Sequence, residues 1–173
     1  MKKLILVNGT MGVGKTTVCK QLHKILKPSV FLDGDWCWTM NPFVVNEENK
    51  KMVLDNIGFL INSFLRNSGY EYVLFCWVMQ ENEILQEVLR RITVRPFLLN
   101  TISLICSQDE LRKRLEADVS AGIRQREVIS RSLERLCCYD RMDTVKLDVT
   151  KMTPAEAAQM IAEQIALGGC QME

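Results

Sequence analysis

Residues 9–16 are Gly9-Thr10-Met11-Gly12-Val13-Gly14-Lys15-Thr16, a full match to the phosphate-binding pattern G-x-x-x-x-G-K-[ST]. An apolar run at residues 4–7 comes directly before this stretch and predicts a buried strand. Apolar residues at helical spacing begin directly after it. Glycine lets backbone N–H groups turn inward around phosphate oxygens, and a helix N-terminus adds a positive dipole. The strand–loop–helix order therefore predicts a phosphate-binding loop and disfavours a chance glycine-rich turn.

This loop gives specific expectations for nucleotide and metal binding. Lys15 is expected to reach the β and γ phosphates of ATP and to act in catalysis, and the Thr16 hydroxyl is expected to bind Mg²⁺. The full set of residues predicted to bind the nucleotide in this region is Gly9, Met11, Gly12, Val13, Gly14, Lys15, Thr16 and Thr17.

An acidic pair follows the second apolar run, at residues 30–32. Asp33 and Asp35 are one residue apart and so point to the same side of the predicted sheet edge, where ligands bind in doubly wound sheets. One carboxylate can hold the metal, and the other can accept a proton from an attacking hydroxyl. We predict that Asp33 lies on the metal side and that Asp35 is the catalytic base. The alternative is a helix cap or a turn pair, because Asp-Gly is a common turn dipeptide.

The rest of the chain alternates between short apolar runs and helical patterns. Strands are predicted at residues 4–7, 30–32, 72–78, 98–105 and 145–149. Helices are predicted between and after them, at residues 15–26, 46–69, 81–92, 107–121, 127–139 and 153–167. Capping boxes are expected at Ser107–Glu110 and Thr153–Glu156, and Gly168-Gly169 is expected to end the last helix. The pattern predicts one α/β domain over residues 1–173, with a mainly parallel five-stranded sheet between two layers of helices.

The phosphate loop, the Asp33-x-Asp35 pair and a short arginine-bearing segment resemble the small P-loop kinases. These include shikimate-kinase-like, gluconate-kinase-like and chloramphenicol-phosphotransferase-like proteins, beside the nucleoside monophosphate kinases. The resemblance implies the three-layer P-loop NTPase fold with strand order 2-3-1-4-5, a short lid, ATP with Mg²⁺ as phosphoryl donor, and an acceptor site over the second helix. It also implies that Asp33 lies near the metal, that Asp35 binds the acceptor hydroxyl, and that Arg114 lies against adenine.

Arginines are concentrated between residues 112 and 135, around a predicted lid at about residues 117–130. A mobile arginine can stabilise the charge that develops on the transferred phosphoryl group. Arg124 and Arg126 flank the predicted lid tip and are the expected catalytic arginines. For Arg112 and Arg135 a solvated helix face is favoured, and the role of Arg131 is left open.

The acceptor region is predicted at about residues 36–68. Trp36, Trp38 and Phe43 follow the acidic pair, and Trp77 ends the third strand. These rings form either a pocket wall or part of the core beneath the second helix. Arg66 is the only arginine between residues 28 and 89, so an anionic acceptor lacks its usual anchor there. The expected acceptor is therefore a neutral or weakly polar hydroxyl compound.

Composition excludes several other classes of protein. The net charge of +1 gives no support for a nucleic-acid partner, and no apolar run approaches the roughly 20 residues of a membrane span. Seven cysteines without a C-x-x-C pair, and His23 as the only histidine, argue against disulfide frameworks, zinc sites and histidine-driven hydrolysis. We expect a cytoplasmic protein that is a monomer or weak dimer.

The sequence thus predicts an ATP-dependent phosphotransferase acting on a small-molecule hydroxyl. A nucleotide or nucleoside kinase is an alternative whose acceptor arginines are missing, and a 5′-polynucleotide kinase lacks the basic groove it needs. A non-catalytic ATP-binding regulator is a further alternative, against which the acidic pair argues because a pure binder needs no base.

Overall fold

The computed structural model describes residues 1–168 and 171–172, so the predicted Gly169 helix stop and Cys170 lie outside the described residues. The strands are β1 (Lys3–Asn8), β2 (Ser29–Asp33), β3 (Tyr72–Cys76), β4 (Leu98–Ile105), β5 (Val145–Asp148) and β6 (Gln171–Met172). The α-helices are α1 (Lys15–Ile25), α2 (Glu47–Arg66), α3 (Asn82–Arg90), α4 (Gln108–Ser120), α5 (Val128–Glu134) and α6 (Pro154–Ala166). Two 3₁₀ helices span Gly34–Trp38 and Leu136–Arg141.

The sheet has the predicted parallel order β2-β3-β1-β4-β5. The two-residue strand β6 was not predicted, because two residues carry no periodicity. It pairs antiparallel with the start of β4, where Leu98 lies opposite Met172 on one side and Lys3 on the other. The later part of β4, from Ile102 to Ile105, pairs with β5 instead.

The central strand β1 contributes to both faces of the sheet. Ile5 and Val7 belong to the core formed with α1 and α6, whereas Leu4 and Leu6 belong to the core formed with α2 and α3. All four are at most 1% exposed. A parallel strand that is covered on both faces is apolar at every position, and this explains the unbroken run of residues 4–7. Among the described residues, no helix is long and apolar enough to cross a membrane.

Two helix expectations needed correction. The predicted helix 127–139 is α5 followed by a 3₁₀ helix, in which the Cys138 N–H donates to the Arg135 carbonyl at 3.1 Å. The tighter turn accompanies complete burial of Tyr139 against the α2–α3 side of the sheet. At α4, Ser107 caps the helix, but the Glu110 carboxylate pairs with Arg114 at 2.8 Å, so only half of the predicted capping box forms.

The capping box at the start of α6 forms as predicted and can be tested by stability. The Thr153 hydroxyl accepts from the Glu156 N–H at 3.3 Å, and the Glu156 carboxylate accepts from the Thr153 N–H at 2.7 Å. We expect Thr153→Ala to lower the free energy of unfolding by about 1 kcal/mol, because it orphans an N-terminal amide of the helix. Urea unfolding would measure this loss, and Thr153→Ser should restore most of it. Equal stability of the Ala and Ser variants would contradict the capping role.

Candidate active site

The phosphate loop joins β1 to α1 and is held in a narrow space. Gly12 has φ of +83°, and a Cβ atom there would lie 2.4 Å from the Leu115 side chain of α4. Only glycine fits both the left-handed backbone and this close approach. Gly9, at the start of the loop, donates its N–H to the Asn8 side chain at 2.8 Å.

Asn8 connects the loop to the neighbouring strand. Its side-chain oxygen also accepts from the Met79 N–H at 2.8 Å, and its amide nitrogen donates to the Met79 carbonyl at 2.6 Å. These bonds join the carboxyl end of β1 to the segment after β3. Sequence reasoning did not single out Asn8, since an Asn before a glycine-rich loop resembles an ordinary turn residue.

Lys15 is a buried cation. Lys15 is 9% exposed, and its side-chain ammonium group donates to the Thr10 carbonyl at 2.9 Å. Burial lowers the pKa of Lys15 from its ordinary value of 10.5, and the nearby carboxylates of Asp35 and Asp33 counter this only in part. A buried ammonium that forms no ion pair among the described residues favours an anionic ligand, as the phosphate-binding role requires.

Asp33 uses both carboxylate oxygens within the site. The Thr16 hydroxyl donates to one oxygen at 2.6 Å, and the Asp35 N–H donates to the other at 3.1 Å. Asp33 is 5% exposed, so these bonds fix it beside the loop. A hydroxyl oxygen and a carboxylate in contact are ligands that suit Mg²⁺, which binds few protein oxygens and keeps several waters. The residues present therefore fit the metal that the fold family implies.

Asp35 lies directly beyond this pair. Partial burial raises its pKa above the ordinary value of 3.8, and the Asp33 carboxylate raises it further. Lys15 and a hydrogen bond from the Trp77 side chain lower the pKa again. Trp77 reaches this position because residue 34 is glycine: a Cβ atom on Gly34 would lie 2.5 Å from the indole ring.

A first cavity of about 370 Å³ opens over the phosphate loop. It brings together most of the residues predicted to bind nucleotide or to act on it: Met11, Gly12, Val13, Gly14, Lys15, Thr16, Thr17, Asp35, Arg114 and Arg124. The far wall is formed by Val149, Met152, Thr153, Pro154 and Ala157, from the end of β5 to α6.

The predicted arginines are placed differently from one another. Arg114 donates to the Val13 carbonyl at 3.0 Å and to the Val149 carbonyl at 2.9 Å, and so joins the two walls of the first cavity. Arg124 pairs with Asp118 at 2.9 Å, and both residues line this cavity. Arg126 is exposed and is not among the residues that line either cavity described here.

A second cavity of about 650 Å³ adjoins the first. Trp38, Phe43 and Trp77 line it, and the Trp38 and Phe43 rings are 6.0 Å apart. Trp36 does not line it. Instead, that ring is about half exposed and packs edge-on against Phe31 at 5.4 Å.

Three cationic side chains line the second cavity, although sequence reasoning did not place them there. Lys50 comes from α2, Arg131 from α5, and Arg135 from the residue that follows α5. The i,i+4 spacing of the two arginines puts both on the same side of a helix. This spacing was the sequence signal that could have indicated a shared site. The same spacing equally suits a solvated surface, and only the tertiary fold brings this side toward Asp35.

The comparisons with known proteins agree with this geometry. A family model described as an AAA domain matches residues 5–135, so the chain belongs to that AAA domain family. Its fold is that of the small P-loop kinases, as the sequence predicted. No curated protein matches the sequence.

Several solved structures share the fold over nearly the whole chain. The tunicamycin resistance protein of Deinococcus radiodurans is 18% identical with a TM-score of 0.69, covering 99% of this chain and 98% of that one. A gluconokinase from Sinorhizobium meliloti 1021 is 18% identical with a TM-score of 0.65, covering 95% and 96%. The shikimate kinase from Acinetobacter baumannii, in complex with shikimate, is 17% identical with a TM-score of 0.64, covering 98% and 95%.

The burial of Lys15 yields a prediction that separates stability from binding. We expect Lys15→Met to leave the thermal midpoint of the ligand-free protein unchanged or higher, because it replaces a buried ammonium by an apolar chain of similar length. The same change should abolish the rise in midpoint that Mg²⁺-ATP produces in the parent protein. Differential scanning calorimetry with and without nucleotide measures both effects.

Lys20→Met provides the matched control, since Lys20 is on the exposed side of α1. It should keep the nucleotide-induced rise in full. A Lys15→Met protein that is still stabilised by Mg²⁺-ATP would contradict the phosphate-binding role.

Proposed function

We propose that this protein is an ATP-dependent kinase that transfers the γ-phosphoryl group of Mg²⁺-ATP to a hydroxyl group of a small molecule. The observation that carries the proposal is that Asp35 and Met11 line both cavities. Asp35 therefore lies where a nucleotide in the first cavity would meet an acceptor in the second. A regulator that only binds nucleotide has no use for a second cavity joined to the first at a carboxylate.

Charges within the first cavity support the donor half of the proposal. Lys15 and the loop N–H groups would bind the phosphates, while Thr16 and Asp33 would hold Mg²⁺. When bound, Mg²⁺ neutralises charge on the transferred phosphoryl oxygens. Arg124 is the lid arginine placed to stabilise that charge, because it already lines the cavity through its pair with Asp118. A role for Arg126 stays a prediction.

Asp35 is proposed as the general base. Both oxygens of Asp33 are engaged by Thr16 and by the Asp35 amide, so the Asp35 carboxylate is the freer acceptor. Its raised pKa makes its carboxylate a stronger base than that of an ordinary aspartate. It can therefore accept the hydroxyl proton as the acceptor oxygen attacks the γ-phosphorus.

The wider expectations go with this proposal. Residues 1–173 would act as one kinase domain, as a cytoplasmic monomer or weak dimer without a nucleic-acid partner. The acceptor would be bound by residues from the region 36–68 together with residues 77–84 and 131–135, since all three segments line the second cavity.

The base role predicts the effect of neutralising one carboxylate. Asp35→Asn should lower kcat by about 100-fold or more, the usual size of a general-base contribution, while Mg²⁺-ATP affinity changes little. A coupled assay of ADP release measures kcat with a panel of hydroxyl acceptors, and calorimetry measures the affinity.

Asp140→Asn is the matched control, because Asp140 is exposed and lines neither cavity. It should retain parent activity. Near-normal turnover by Asp35→Asn at saturating acceptor would refute the assignment of the base.

The raised pKa of Asp35 also predicts a pH dependence. The base must be ionised, so kcat/KM should fall as the pH drops through the pKa of Asp35 in the folded protein, at a pH above 3.8. The residual activity of Asp35→Asn should lack this limb, while protonation of ATP affects both proteins alike. If the acidic limb is unchanged in the variant, another group causes it.

A further inference from the structure

The second cavity offers an acceptor a mainly apolar surface, bordered by the charged residues Asp35, Lys50, Arg131 and Arg135. Its apolar lining comes mainly from Trp38, Phe43, Val45, Leu54, Trp77 and Ile84. Its uncharged polar side chains are few, with Gln80 the clearest donor and acceptor. A polyhydroxylated ligand would leave the hydroxyl groups that face this apolar lining without partners, which is unfavourable on binding.

Two cations in this cavity form no ion pair with any residue that the structure describes. Within residues 1–168 and 171–172, neither Arg131 nor Arg135 forms an ion pair with an acidic side chain. By contrast, Arg91, Arg114 and Arg124 each pair with a carboxylate. Lys50, the third cation of the lining, pairs with Glu47 at 2.7 Å.

The two free guanidinium groups can act together. The Arg135 N–H donates to the Arg131 carbonyl at 3.3 Å, so the two residues are one helical turn apart and project to the same side. Arg131 is exposed and Arg135 is half-buried. Beside an apolar wall, an unpaired guanidinium fork favours a planar anion, which it binds through two parallel hydrogen bonds.

The negative charge of Asp35 limits where an anionic group can lie. A ligand whose own phosphate or carboxylate reached Asp35 would meet like charge there, whereas a hydroxyl group would find a proton acceptor. The anion and the reacting hydroxyl therefore belong at different ends of one ligand.

We infer that the acceptor is an amphipathic anion, an inference that rests on the kinase function proposed above. It has an apolar ring or ring-like body against the tryptophans, one carboxylate-type group bound by Arg131 and Arg135, and a hydroxyl group at Asp35. This ligand class replaces the neutral acceptor expected from the sequence. That expectation took into account only the arginines close to the acidic pair along the chain. Also disfavoured are sugar acids, which lack the apolar body, and nucleoside monophosphates, in which the anion is the phosphoryl acceptor.

Binding of matched compounds to the full chain tests this inference. The probes are hydroxymethyl derivatives of benzoate, naphthoate and cyclohexanecarboxylate, each beside its neutral primary amide. Gluconate and AMP represent the two disfavoured classes. Affinity is measured by tryptophan fluorescence and ligand-detected NMR, with and without Mg²⁺-ADP, and ADP release from Mg²⁺-ATP is measured separately.

We expect the best carboxylate to bind about tenfold more tightly than its amide, the effect of a charge-assisted contact at a partly exposed site. Arg131→Gln and Arg135→Gln should each reduce this preference, and the double variant should remove it. Arg135→Lys should keep part of it, because charge remains while the fork is lost. Arg112→Gln, on the exposed side of α4, should keep all of it.

The inference would be overturned if carboxylates and amides bound equally well, or if the double variant left the preference for carboxylates unaffected. It would also be overturned if gluconate bound more tightly than every aromatic or alicyclic probe, or if no probe bound at millimolar concentration. Phosphorylation of AMP that does not need Asp35 would also overturn it. The kinase proposal fails separately. Carboxylates that bind through the arginines but never stimulate ADP release would refute the kinase and leave the ligand class standing. Neutral alcohols that stimulate ADP release as well as the carboxylates do would refute the ligand class and leave the kinase proposal standing.

Discussion

The Asp33 carboxylate organises the site, because each of its two oxygens holds a different element in place. One oxygen accepts from the Thr16 hydroxyl and so fastens the first turn of α1 to the end of β2. The other accepts from the Asp35 N–H and so shapes the 3₁₀ helix that carries Asp35 toward both cavities. Because Asp33 is almost fully buried, water competes little for either hydrogen bond. The end of β2, the first turn of α1 and the 3₁₀ helix are therefore held in one arrangement.

The features that sequence reasoning predicted well are local ones. The phosphate loop, the strand runs and the α6 cap depend on residues within one turn or one strand of each other, so a short window contains the whole signal. The strand order came from the family resemblance and matches the sheet observed. The placement of Asp33 and Asp35 followed from the same logic, since parallel strands end at a shared edge.

The features that it missed depend on distant parts of the chain. The wall of the second cavity comes from four separate parts of the chain, so Arg131 and Arg135 face Asp35 across about a hundred residues of sequence. Their spacing alone suited a solvated helix equally well. Trp36 and Trp38 illustrate the same limit at short range. Two residues apart in a 3₁₀ helix, they point in different directions, and only Trp38 lines the cavity.

The pairing at the start of β4 has a practical consequence for the two ends of the described chain. Lys3 and Met172 lie on either side of Leu98, two strand spacings or roughly 10 Å apart, at the amino edge of the sheet. Both cavities open near the opposite, carboxyl edge. A surface tether attached at Lys3 or Met172 would therefore lie away from the edge where nucleotide and acceptor enter.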